Sequence, residues 1–294
     1  MQIDVNGLAL EVDDRGPIGA PPLLLIAGLG MQMTMWSDEL VGELIARGFR
    51  VIRFDNRDSG LSTGFDGLGK PNLAFAGMRY ALHLPVTSPY SLQDMAGDAL
   101  GVMQVLGIES AHVCGASMGG MIAQRLAAWR PERVRSLTLM MTTTGARRLP
   151  QPALHVRRVL LSRPSGRDTQ AVVAHLEHVL SVIGSPAYPY EPERLRQRVQ
   201  AMVQRALRPA GTARQLLAVV ADGDRSALVA RITAPTRIIH GREDPLVPVE
   251  AGRDLAARIP GAVADIIPGM GHDLPPQLLQ RFADGIQQNA ARAA

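Results

Sequence analysis

The stretch AHVCGASMGGMIAQRLAAW, residues 111–129, decides how this chain reads. A short apolar run, AHVC, passes through a glycine-flanked serine into Met121, Ile122, Leu126 and Trp129 on helical spacing, and Pro131 ends the run. The first part suits a buried strand and the second a helix. A Gly-x-Ser-x-Gly at such a strand-to-helix turn lifts the serine hydroxyl above a sheet, and the glycines let strand and helix pass closely. Ser117 is therefore a candidate nucleophile.

The chain holds a second copy of the pattern, GLSTG at 60–64. It follows Asn56-Arg57-Asp58 and leads into GFDGLGKPN, a glycine-rich stretch without helical period, so Ser62 lacks the strand-turn-helix setting. Cys114, the single cysteine, lies inside the apolar run before Ser117 and reads as a small buried hydrophobe.

Working outward, QIDVNGLALEV places Asn6-Gly7 between alternating runs, a hairpin signal. Strand-like runs follow at 22–28, 50–55, 111–116, 136–142, 236–241 and 262–269. Helical patterns lie between them, among them 91–107, which opens on a Ser cap and closes at a Gly. Alternation of this kind predicts an α/β protein with a mostly parallel sheet covered on both faces. The rhythm breaks from about 145 to 232, where only helical patterns occur, separated by Pro186, Pro189, Pro192 and Pro209. The expected organisation is a sheet-forming core from 1–145 and 233–294 with a helical insertion, 146–232, placed over the strand ends where such sheets bind ligands.

Composition bounds the function. The 294 residues are 46% apolar, enough for a large core, and contain no apolar run of about 20 residues that would span a membrane. The N-terminus is acidic strand sequence rather than a signal peptide, and one cysteine allows no internal disulfide, so a cytoplasmic location is expected. The net charge of +4 is uneven: residues 145–235 carry 14 Arg against 6 acids, so that segment is +8 and the remainder −4. Those arginines are expected on solvated helix faces, and without interleaved aromatics they do not suggest nucleic acid.

A serine hydroxyl needs a base to take its proton and an acid to orient that base. TRIIHGREDPLVP offers Asp244 in the loop after a strand, with Glu243 adjacent and Asp222 and Asp224 as weaker choices upstream. IIPGMGHDLP offers His272 after the last strand. The order Ser117, Asp244, His272, with the acid and base at strand ends, suits a catalytic triad. His240 and His112 fall in strands, and His83 and His155 have no evident partners. His175 and His178 share a helix face without a third ligand, so no metal is expected. Oxyanion donors are expected at the Met118 N–H, which opens a helix, and at the Leu29 N–H in AGLGM. Gly28, Met33 and Trp36 follow the same strand and are candidate pocket walls; the loop 64–89, with Phe65, Phe75, Tyr80 and Tyr90, is another.

LLLIAGLG, VIRFDNRDSGLS, AHVCGASMGG, GREDPLVP and IPGMGHDLP together resemble the α/β-hydrolase fold family. Within it the chain is similar to lid-bearing bacterial serine esterases of the aclacinomycin methylesterase and haloperoxidase-like kind. The resemblance implies Ser117 as nucleophile, Asp244 as acid, His272 as base, Leu29 and Met118 as oxyanion donors, and 146–232 as a lid. It also implies that RDSGLS is a structural loop after the fourth strand. Many relatives carry His-Gly where this chain has Ala27-Gly28. The expected activity is hydrolysis of a small-molecule carboxylic ester through an acyl-enzyme, without a cofactor. The rival uses of the same triad are carbon–carbon bond hydrolysis, lactone opening or perhydrolysis, and a non-catalytic scaffold is the third reading.

Overall fold

Asn6 and Gly7 both take positive φ, 53° and 78°, and close a two-residue hairpin between β1 (Gln2–Val5) and β2 (Leu8–Arg15). This is the first element of a computed structural model that describes residues 1–166 and 168–293. Six further strands follow: β3 (Pro22–Ile26), β4 (Arg50–Phe54), β5 (Ala111–Ala116), β6 (Val134–Met140), β7 (Thr236–Gly241) and β8 (Val263–Ile267). They form one sheet in the order β1-β2-β4-β3-β5-β6-β7-β8. β2 is antiparallel to both of its neighbours, and every pair from β4 to β8 is parallel. Each predicted strand is present, β5 and β7 with the expected bounds and β3, β4, β6 and β8 with ends shifted by at most two residues.

The helices in chain order are α1 (Asp38–Ala46), α2 (Leu73–Ala81), α3 (Leu92–Val105), α4 (Met118–Trp129), α5 (Leu154–Leu161), α6 (Thr169–Ile183), α7 (Pro192–Arg205), α8 (Pro209–Asp222), α9 (Ser226–Val229), α10 (Val249–Arg258) and α11 (Leu279–Ala290). The strands β3 and β5 are buried on both faces, as parallel strands under helices must be. Leu24, Ile26 and Val113 point into a core with α3, α4 and α10, whereas Leu23, Leu25 and Cys114 point into a second core with α1 and α11. This alternation sets the sheet between two helical layers. The Ser cap expected at the start of α3 is formed by Ser91, and Asp94 completes it as a capping box.

Three expectations need correction or completion. The stretch 64–89 is not all loop. Asn72 caps α2 through its side chain, which accepts the Phe75 N–H, so a helix forms without a long apolar period in the sequence. Between β6 and β7 stand α5 to α9, joined by turns and irregular segments, with no strand among the described residues there. Arg167, one of the 14 arginines, lies outside the described residues.

Nor are those arginines simply solvated. Arg205 reaches Asp55 at 2.7 Å, Arg208 reaches Asp66 at 3.1 Å, and Arg214 holds Asp58 through two contacts of 2.7 and 2.8 Å. Arg148 meets Asp254, and Arg194 meets Glu39 at 3.3 Å. Five of these arginines thus face acids of the remaining chain, whereas Arg157, Arg158, Arg163, Arg196 and Arg231 are exposed, as expected.

Candidate active site

The turn between β5 and α4 holds Ser117 at φ 54° and ψ −120°, a strained backbone for a residue with a side chain. The surroundings over-determine it. The Ser117 N–H donates to Met140 O at 2.9 Å, and Ser117 O accepts from Gly120 N–H and from the Thr142 hydroxyl. The flanking glycines are needed for close approach: a Cβ at Gly119 would stand 2.1 Å from Ile26 O, and one at Gly115 would stand 2.3 Å from Gly119 O. Gly28 clears the other side. A Cβ there would meet Ser117 Cβ at 3.4 Å and Oγ at 4.0 Å.

Asp244 and His272 converge on this serine from the loops after β7 and β8. His272 Nε2 lies 3.1 Å from Ser117 Oγ, and its Nδ1 lies 2.7 Å from Asp244 Oδ2. A carboxylate only accepts, so Nδ1 carries the proton, and Nε2 is left to receive that of the serine. The Asp244 side chain is fully buried, and its Oδ1 accepts the N–H groups of Leu246 at 2.9 Å and Val247 at 2.7 Å. These bonds fix the carboxylate in the orientation that His272 meets.

The remaining candidates are engaged elsewhere. Glu243 accepts the Gly269 N–H, and Asp222 bridges Arg125 and Arg225. Burial pushes the pKa of His240 down; as a neutral ring its Nε2 donates to Val247 O at 2.8 Å. Burial, followed by the nearby Arg135, lowers His112 to about 4, and its Nδ1 bonds the Ser136 hydroxyl at 2.9 Å. The buried Cys114 thiol is pushed far up, away from thiolate chemistry. Among the described residues no group of three His, Cys, Asp or Glu side chains is placed to hold a metal ion. No described helix is long and apolar enough to cross a membrane.

Ser62 is structural. Its hydroxyl donates to Asp55 O at 2.6 Å and accepts the Glu11 N–H at 2.9 Å, tying the loop after β4 to β2. Ser62→Ala is expected to keep kcat within a few-fold of wild type while lowering stability by about 1–3 kcal/mol, because it strands a buried N–H. Urea unfolding beside an ester assay checks both halves.

The loop after β3 is held by that same segment. Asn56 Nδ2 donates to Ala27 O at 3.0 Å, the Ser59 hydroxyl to Met31 O at 2.7 Å, and Met33 N–H to Asp55 at 2.7 Å. Trp36 is fully buried in the core with Leu40 and Leu44, and Met33 is nearly so. Met35 comes closer to the serine turn, with its Sδ accepting the Gly28 N–H at 3.2 Å. Sequence reasoning missed Asn56 and Ser59 as supports of this loop.

A family model described as the alpha/beta hydrolase fold matches residues 21–275. The chain belongs to that family. This hydrolase is 33% identical over 290 residues to a rhodomycin D methylesterase of a Streptomyces strain, an alignment that covers 88% of each chain. It is 29% identical to a 2-hydroxy-6-oxononadienedioate/2-hydroxy-6-oxononatrienedioate hydrolase of Cupriavidus pinatubonensis, over 90% of this chain and 84% of that one. In fold it is similar to the meta-cleavage product hydrolase of Pseudomonas fluorescens, with a TM-score of 0.76 at 21% identity, covering 100% and 98% of the two chains.

Proposed function

We propose that this hydrolase cleaves a carboxylic ester by way of an acyl-enzyme on Ser117. The observation that carries the reading is the pair of contacts at His272: 3.1 Å to Ser117 Oγ and 2.7 Å to Asp244. His272 takes the serine proton as Oγ attacks the ester carbonyl, and Asp244 stabilises the imidazolium that forms. The tetrahedral oxyanion is held by the N–H groups of Leu29 and Met118. Neither amide has an acceptor among the described residues, whereas those of Gly28, Gly30 and Met31 all do. The Met118 amide also opens α4, where the helix dipole favours negative charge. His272 then protonates the departing alcohol, and water repeats the cycle on the acyl-enzyme.

The helical stretch 146–232 serves as the lid over this site. Gly28 forms the pocket wall nearest the nucleophile, and Met33 and Trp36, buried behind the loop after β3, support that wall and do not line it. The 33% identity to a methylesterase supports a small alcohol as the leaving group. The 29% identical relative, named for a hydroxy-oxo-dienedioate, keeps carbon–carbon cleavage as the rival use of the triad.

A fluorophosphonate is expected to label Ser117 in the wild type, and methyl esters are expected to turn over faster than a vinylogous diketone. Labelling without ester turnover, together with cleavage of the diketone, would move the assignment to the rival reaction. No labelling and no turnover would reject the serine reading.

A further inference from the structure

Gln215 stands on α8, far from the triad in sequence, and is completely buried. Both ends of its amide are used. Its Oε1 accepts the Gly30 N–H at 2.8 Å, and its Nε2 donates to Arg57 O at 2.7 Å. Arg57 is anchored in turn by two contacts to Asp98 of α3, at 2.6 and 2.7 Å. The glutamine therefore links the loop after β3 to a fixed point in the core. Thr212, three residues earlier, lies against the same loop: a Cβ at Gly30 would come within 2.7 Å of its Oγ1.

The position of Gly30 gives this link its meaning. Gly28 N–H is tied to Met35 Sδ and Gly30 N–H to Gln215, so the peptides on either side of the Leu29 amide are both pinned. The Leu29 N–H between them is the group left to point at a ligand. A donor of this kind contributes to catalysis only if it already stands where the oxyanion will form.

From this geometry we infer that Gln215 is a positioning residue for the oxyanion hole, so that the helical stretch completes the catalytic machinery as well as covering it. The inference rests on the reading of Leu29 as an oxyanion donor. Gln215 touches no substrate and acts through Gly30.

The test compares Gln215→Met, Gln215→Glu and Ser117→Ala on p-nitrophenyl acetate. Methionine keeps the volume and removes the acceptor. Because removal of one oxyanion donor costs about 10²–10³-fold in kcat, a misplaced one is expected to cost about 10- to 100-fold, with KM within about threefold of wild type. Burial against the Arg57 carbonyl favours the neutral acid of Gln215→Glu, whose C=O accepts the Gly30 N–H and whose O–H donates to Arg57 O, so this variant is expected to retain most of kcat. A trifluoromethyl ketone, whose adduct carries the oxyanion, is expected to lose affinity for Gln215→Met in step with the fall in kcat/KM. If the methionine variant does not fold, Gln215→Asn, one methylene too short to span both partners, is expected to show the same loss of kcat at unchanged KM. Equal losses for methionine and glutamate, or a change confined to KM, would overturn the inference. Ser117→Ala keeps the two failures apart. Retained turnover in that variant sinks the serine reading itself, whereas an inactive Ser117→Ala beside a fully active Gln215→Met sinks only the role of Gln215.

Discussion

Ser117→Ala is expected to lower kcat for an ester substrate by about 10⁴- to 10⁶-fold, as large an effect on activity as any single substitution in this chain should have. The reason lies in the coupling of the three side chains. His272 has its Nδ1 proton directed to Asp244 and its Nε2 directed to Ser117 Oγ, so without that oxygen the base has nothing to activate. The fold should be untouched or slightly relieved, because alanine removes no bond on which the turn depends: Ser117 is held through its backbone N–H and C=O. Adding His272→Ala to the serine variant is expected to cost little more, since residues that act as a unit are not additive. Steady-state kinetics on the single and double variants decide the matter. A serine variant that keeps more than about a tenth of wild-type kcat would end the nucleophile assignment.

The largest expected effect on stability belongs to Arg214. Its guanidinium and the Asp58 carboxylate are both buried and meet through paired contacts of 2.7 and 2.8 Å, with the Tyr90 hydroxyl and the Phe65 N–H also donating to Asp58. Burial pushes the Asp58 carboxyl up, but Arg214, Phe65 and Tyr90 outweigh it and hold the group below its ordinary value. Arg214→Met leaves that charge without its counter-ion and is expected to cost about 3–5 kcal/mol in urea unfolding at neutral pH. Asp58 has φ 65°, a conformation that asparagine tolerates well, so Asp58→Asn added to Arg214→Met removes the charge without new backbone strain. The double variant is expected to recover at least about 1 kcal/mol. A double variant no more stable than the single one would show that the stranded charge is not the cause. The sign with pH follows from the lowered value: the carboxylate contributes its full stability above the unfolded range, about 4, and loses it as the pH falls further. The gap between wild type and Arg214→Met should therefore narrow in acid.

The parts of the molecule that were legible in the sequence share one property: each leaves a local trace. Ser117 is marked by an apolar run, a tight turn and a helical period within about 20 residues, and Asp244 and His272 each follow an apolar strand run. The hairpin at Asn6-Gly7 and the Ser91 cap of α3 are similarly local. What escaped detection acts across long separations through single hydrogen bonds. Gln215 bonds a backbone 185 residues away, and Asn56 and Ser59 reach 29 and 28 residues back to the loop after β3. A lone glutamine or asparagine has no periodicity, so nothing in its neighbourhood announces such a contact. The helix α2 escaped for a different reason: it is nine residues long and its Asn72 cap sits behind a proline in a glycine-rich stretch.

The helical stretch also meets the histidine loop. His272 N–H donates to Ile183 O at 2.7 Å, Gly271 N–H to the Ser185 hydroxyl at 2.9 Å, and the Tyr190 hydroxyl donates to Leu274 O at 2.5 Å. A Cβ at Gly271 would stand 2.3 Å from Gly184 O, so the two backbones fit only as a matched pair. For the protein engineer this means that the stretch is not an interchangeable cassette. A chimera that takes its helices from another family member would leave Asp55 and Asp58 facing foreign side chains and would press unmatched backbone against Gly271. Specificity grafts into this chain should therefore exchange helix-surface residues one by one, or carry the loops after β3, β4 and β8 along with the helices.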